Sequence, residues 1–141
     1  MVEGDLPEVG DSVNGKLNWD RRYTHMRMHT SGKNTPATKL SMNRAYIPPG
    51  GVAKAHIHVD FEVMIYLLKG SVRHEYGDGC KKSVVHQAGD MFYIEPGLPH
   101  EVFNVSDKEE VHALVARSDA SEWQNIIPYD RINERPIYEE E

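Results

Sequence analysis

An all-β sandwich or barrel is the fold class this sequence predicts, and two observations carry it. Eight short β-type runs, at 38–47, 52–59, 62–70, 71–77, 82–88, 90–96, 100–106 and 110–118, follow one another between turn signals. No helical stretch of comparable weight lies between them, which argues against a parallel sheet built on crossover helices.

The elements justify themselves in order. The strands are punctuated by "PPGG", "GDGCKK", "PGLP" and "SDKEE", in which Gly and Pro supply the backbone conformations that tight turns need. Residues 1–24, with Trp19 and Tyr23 in a polar context, read as an N-terminal arm that becomes ordered by docking on something, a second subunit being the economical choice. Residues 25–117 form the β-domain, and 118–141 a C-terminal extension. Within that extension "SDASEWQNII" carries a Ser/Asp cap signal for a short helix, and "PYDRINERPIYEEE" reads as an extended surface strap.

Composition bounds the function. A chain of 141 residues suits one domain with a core of its own. The balance of 22 acidic against 16 basic residues leaves a net charge of −6, with no cationic surplus to meet a phosphate backbone, so nucleic acid is not an expected partner. The single cysteine, Cys80, lies in a turn, excludes an intramolecular disulfide and fits a reducing, cytoplasmic compartment. The start is unlike a signal peptide and the run "VMIYLL" is too short to span a bilayer, so no membrane association is expected.

Chemistry is concentrated in "AHIHVDFEVMIYLLKG", residues 55–70. Alternate residues of a strand share a face, so His56 and His58 project together, as two ligands of one metal must. Alone, such a pair is more often a solvated strand face. Further along, "AGDMFYIEPGLPHEVFN" places His100 and Asn104 on a strand after a Pro-Gly corner.

With both segments in view, the chain resembles the cupin family. The first motif reads Gly50, His56, His58, Glu62 and Gly70; the second reads Gly89, Gly97, His100 and Asn104. The resemblance implies a jelly-roll barrel and a metal held inside it by His56, His58, Glu62 and His100. Two spacings depart from the family. Glu62 stands seven residues before Gly70 where the family has six, so Val63 takes the usual glutamate position, and Glu62 is expected to turn inward through a bulge. If it faced outward, the fourth ligand would be sought among His74, His112, His25 and His29. In the second motif Glu95 stands where the family has proline.

Three imidazoles with one carboxylate suit a divalent transition metal with one or two open positions, zinc being favoured and iron, manganese, nickel or copper admissible. Met and Tyr residues near the site (Met42, Met64, Tyr66, Met91, Tyr93) suggest an adaptable apolar pocket, and none of the strand arginines, Arg44, Arg73 and Arg117, is grouped with the histidines by the sequence. Three functions follow. The favoured one is a polyketide cyclase-like Lewis-acid enzyme acting on an enolisable, hydroxylated or aromatic small molecule, with Glu62 as ligand or acid/base group. The others are an Fe(II)-dependent dioxygenase and a non-catalytic small-molecule binder. A homodimer is the expected assembly.

Overall fold

The structure, a computed structural model, describes residues 29–121 and 124–138. The expected arm, residues 1–24, lies outside the described residues. The chain folds as a jelly-roll barrel of two antiparallel sheets facing each other. Strands β1 (His29–Thr30), β2 (Ser41–Ile47), β3 (Val52–His58), β4 (Val63–Lys69), β5 (Ser71–Tyr76), β6 (Lys82–Gln87), β7 (Met91–Ile94), β8 (His100–Asn104), β9 (Val111–Arg117), β10 (Ile126–Asp130) and β11 (Arg135–Pro136) follow in chain order. One sheet runs β1-β2-β9-β4-β7 and the other β11-β10-β3-β8-β5-β6.

Period-two alternation sends one set of side chains into the barrel and the other out. Along β9 the inward set is Val111, Ala113, Val115 and Arg117, all buried. Ile47, Leu67, Val72, Val111 and Ala113 form one core cluster, and Phe61, Val63, Ile94 and Val115 a second. Ile57, which alternates against His56 and His58, packs with Cys80 and Tyr129 in a third. There the Tyr129 hydroxyl accepts a hydrogen bond from the Gly79 N–H at 2.9 Å and pins the 3-10 turn Asp78–Cys80.

Two positive-φ glycines act where the chain must bend. Gly70, at φ 88°, carries the chain from β4 in one sheet to β5 in the other, and a Cβ there would lie 3.0 Å from the Val111 side chain and 3.1 Å from the Glu110 carbonyl. Gly97, at φ 79°, lets its N–H reach the His58 carbonyl at 2.8 Å, tying the corner before β8 to the end of β3.

Two expectations are corrected and one open alternative is settled. The segment expected to supply a short helix and strap instead supplies β10, which pairs with β3 through Ile126↔His58, Ile127↔Ile57 and Pro128↔His56, so the sheet continues beyond residue 117. Second, of the two phases the sequence leaves open for β2, the inward one is Ser41, Asn43, Ala45 and Ile47, with Met42 and Arg44 exposed. Third, Met64, Tyr66, Met91 and Tyr93 are exposed on the outer face of the five-stranded sheet and do not line the barrel.

Asn104 closes one end of the barrel. Its buried amide Nδ2 lies within donating distance of the carbonyls of Ile47 (3.2 Å), Pro48 (3.0 Å) and Glu109 (2.7 Å), and its Oδ1 accepts from the Ser106 N–H at 2.9 Å. Replacing it by the similar-sized Leu strands these groups, so Asn104→Leu is expected to destabilise the fold by about 1–3 kcal/mol. Urea denaturation checks this; an unchanged midpoint would show that these hydrogen bonds contribute nothing net.

Candidate metal centre

Three histidines meet on the inner wall. The antiparallel pairing of β3 and β8 sets His56 directly opposite His100, while a register shift between Ala53 and His56 marks a bulge just before the site. His58 projects beside His56 from two residues further along. The ligating nitrogens of the three rings all lie within 4.8 Å of one another, with ring centroids 4.3 Å (His56–His100), 4.6 Å (His58–His100) and 5.1 Å (His56–His58) apart. Phe61 stacks on His58 with centroids 4.9 Å apart and backs that ring with an apolar plate.

Two of the rings have their tautomer set locally. His56 Nδ1–H donates to the Lys54 carbonyl at 2.6 Å and His100 Nδ1–H to the Leu98 carbonyl at 2.9 Å, which leaves each Nε2 lone pair for a ligand. His58 keeps a buried Nδ1 with no hydrogen-bond partner among the described residues. All three rings are held neutral, chiefly because burial penalises the imidazolium. His58 is lowered to about 3 by burial, then by His56 and Arg117; His56 and His100 are also lowered, with burial the largest cause in each. Neutral imidazoles without a competing proton are what a divalent ion binds, so this donor set fits a metal.

Glu62 is not part of this cluster. Its side chain is exposed, and Val63, only 2 % exposed, takes the inward position opposite Arg117. The bulge in β4 falls between Leu67 and Lys69, at the far end of the strand, so the alternation Val63, Ile65, Leu67 runs unbroken past the site. Glu62 is fixed at the rim by its backbone, whose N–H donates to Ser118 Oγ at 2.8 Å and whose carbonyl accepts from the Ser118 N–H at 3.0 Å.

The alternative imidazoles separate clearly. His74 faces inward on β5, 4 % exposed, with its ring centroid 5.5 Å from that of His100 and its Nε2 buried without a partner, yet it falls outside the three-histidine group. Burial and then His86 lower its pKa to about 4. His112 alternates outward on β9 and stacks on Tyr46 at 4.3 Å. His29 sits on β1, paired with Asn43, and is likewise outside the group. His25 lies outside the described residues.

The cluster borders a cavity of about 480 Å³ whose walls are mainly aliphatic, among them Ala45, Ile65, Leu67, Val72 and Val115, with Phe92. Arg117 lines the same cavity, a grouping that inspection of the sequence missed. Arg73, by contrast, lies over Phe103 at 4.5 Å and pairs with Glu75 at 2.8 Å.

The ligand assignment gives a paired expectation. His58→Ala is expected to lose at least about tenfold in zinc affinity while keeping its fold, whereas Glu62→Gln retains the affinity of the unmodified chain. Competition titration against a chromophoric chelator reads both; tight binding by His58→Ala, or weakened binding by Glu62→Gln, would contradict the three-histidine centre.

Comparison with known proteins agrees with this architecture. Residues 43–117, more than half of the chain, match the Cupin domain family. A recombinant oxalate oxidase in complex with glycolate superposes with a TM-score of 0.62 at 25% identity, over 78% of this chain and 69% of that one. An oxalate decarboxylase formate complex from Lactobacillus farciminis gives 0.62 at 23% identity, over 71% of this chain and 30% of that one. The cupin domain of Schizosaccharomyces pombe Cnp3 gives 0.53 at 12% identity, over 57% and 56% of the two chains. Curated proteins match only in short segments. An alanyl-tRNA editing protein AlaX-M of Methanosarcina mazei is 67% identical over 24 residues, 17% of this chain and 10% of that protein. An alanine–tRNA ligase of Pyrobaculum calidifontis is 53% identical over 30 residues, 21% of this chain and 3% of that protein. The chain thus spans a tenth or less of these two relatives, too little for them to inform the barrel. With the fold, the converging histidines and the match over residues 43–117 in agreement, this chain belongs to the Cupin domain family.

Proposed function

We propose that this protein is a metal-dependent enzyme acting on a largely apolar small molecule with an enolisable carbonyl, a Lewis-acid catalyst of the polyketide cyclase type. The observation that carries the reading is the convergence of His56, His58 and His100, as neutral imidazoles, on the wall of a mainly aliphatic cavity of about 480 Å³. A divalent ion bound there, zinc being favoured, supplies Lewis acidity at a substrate carbonyl or enolate oxygen. The chain's own contributions are orientation and exclusion of water. The Lys54 and Leu98 carbonyls hold two of the imidazoles with Nε2 presented, and the aliphatic walls shape a space suited to an aromatic or polyketide-like body. Three protein ligands leave positions for substrate, as catalytic rather than structural sites do.

Oxidation is the second reading, an Fe(II)-dependent dioxygenase; the likeness to an oxalate oxidase at 25% identity favours a reaction with dioxygen and specifies neither iron nor oxygen insertion. The two readings separate on the metal. Elemental analysis of the purified protein is expected to return about one zinc per chain with no oxygen uptake during turnover. Iron with stoichiometric oxygen consumption would transfer the function to the dioxygenase reading, and no metal under zinc-replete conditions would overturn both in favour of a binding module.

The assembly we propose is a homodimer. Met42, Met64, Tyr66, Met91 and Tyr93 expose an apolar surface on the outer face of the five-stranded sheet, and pairing of two copies would cover it. The single, buried Cys80 fits a reducing, cytoplasmic setting. Among the described residues no helix is long and apolar enough to cross a membrane. Light scattering at micromolar concentration is expected to report twice the mass of the 141-residue chain; a monomer would contradict the pairing.

A further inference from the structure

The cavity has two ends, and the register of the strands tells them apart. In the five-stranded sheet the inward side chains stand in rows: Val63, Arg117 and Ile94 in one, Ile65, Val115 and Phe92 in the next, and Ala45, Ala113 and Leu67 in the one after. Val63 and Ile94 pack with Phe61, which stacks on His58, so the first row marks the histidine end. Ala113 lies four residues from Arg117 along β9, about 13 Å of strand, toward the end that Asn104 closes.

The alanine row is a recess in the wall. Ala45 and Ala113 are paired directly across β2 and β9, so two methyl groups stand side by side, while the rows before and after them carry Val115 and Ile65, and Ile47 and Val111. The facing sheet repeats the feature. The bulge before His56 lets Ala53 share the inner side with it: Ala53 packs against the same cluster as Ala45 and Ala113, whereas Ala55 packs in the separate cluster of Ile57, Cys80 and Tyr129. Ala45, Ala53 and Ala113 all line the cavity.

Keeping such a space open is unfavourable for the protein alone. Interiors are packed to the density of organic crystals, and the wall of an empty space forfeits the dispersion contacts that neighbouring atoms would supply. Larger aliphatic side chains at these three positions would fill the recess, yet each carries a single methyl group. Of the charged residues on the lining, Arg117 belongs to the row at the histidine end and Lys54 is exposed on the bulge. His58 adds to the polar end a buried Nδ1 with no partner among the described residues.

We propose that Ala45, Ala53 and Ala113 are the specificity-determining residues of this cavity, holding open the recess that receives the apolar body of the substrate while its carbonyl lies at the three histidines. The inference rests on reading the cavity as the substrate site. It adds the substrate's shape: an extended, uncharged frame that reaches from the histidines to the row of Ala45 and Ala113.

The test uses straight-chain primary alcohols from butanol to decanol, titrated by calorimetry into the full chain. Chelator-treated, metal-free protein is measured first and the zinc-loaded form second. Affinity is expected to rise about threefold to fourfold with each methylene until the recess is full, and then to level off. Ala113→Leu should bind the alcohol preferred by the unmodified chain at least about tenfold more weakly and reach its plateau at shorter alcohols, with a urea midpoint no lower than before. That combination separates a recess from a packed core, in which the same substitution overpacks and lowers the midpoint. Ala45→Val, a smaller step at the paired position, should weaken binding about fourfold and decides alone if Ala113→Leu does not fold. Binding that is absent, independent of chain length or unchanged in a folded variant would overturn the proposal, as would a lowered midpoint or failure to fold in both variants. A length-dependent preference in a protein that binds no zinc would sink the metal reading while leaving the recess. Stoichiometric zinc without that preference would do the reverse.

Discussion

The pairing of His56 with His100 across strands β3 and β8 is the contact on which the rest of the site depends. It brings histidines from distant parts of the chain face to face, and strand alternation adds His58 to the same side. The cost is considerable, since buried imidazoles lose hydration and their protonated forms are disfavoured. Part of that cost is offset within the strands themselves. His56 and His100 each donate to the carbonyl two residues earlier, so the tautomer needed for ligation is built into the local backbone. A bound ion would occupy the lone pairs that remain, coupling occupancy to stability because the unfolded chain lacks the arrangement.

Alternation along β4 and β9 then decides the character of the chamber around these rings. Because Val63 faces inward, an aliphatic side chain stands beside the histidines and Glu62 meets solvent. Because Arg117 faces inward across from it, a guanidinium hydrogen-bonded to Asn43 stands in that wall. The same alternation expels Met64 and Tyr66 to the outer face, so the wall is built from Val, Ile, Leu and Ala and the softer side chains are left for another surface. A one-residue shift of β4 would exchange both faces at once.

How far the sequence discloses this depends on how local each feature is. The strands β2 to β9 and the three histidines were legible because turn residues and a two-residue period are local, and because two spaced motifs reinforced one another. The facing of Glu62 was not, since it turns on where β4 bulges, and nothing within "VMIYLLKG" marks the step between Leu67 and Lys69. That run is apolar on both sides, so hydrophobicity could not tell Ile65 from Met64. Arg117 joins the histidines through the register between β4 and β9, a long-range pairing with no trace in either segment alone. Strand β10 was missed for a different reason. Pro128 interrupts "IIPYD" and argues against a strand in a sheet's interior, yet this strand pairs with β3 and β11 around it.

X-ray absorption at the metal edge tests the central claim most directly, because it counts and identifies the atoms around the ion in the intact, metal-loaded protein. For zinc, the three-histidine centre predicts about three imidazole nitrogens at about 2.0–2.1 Å, recognisable by the multiple scattering of their rings, with oxygen atoms filling the rest of the shell. A first shell without imidazole scattering, or one containing sulfur from Cys80, would contradict it.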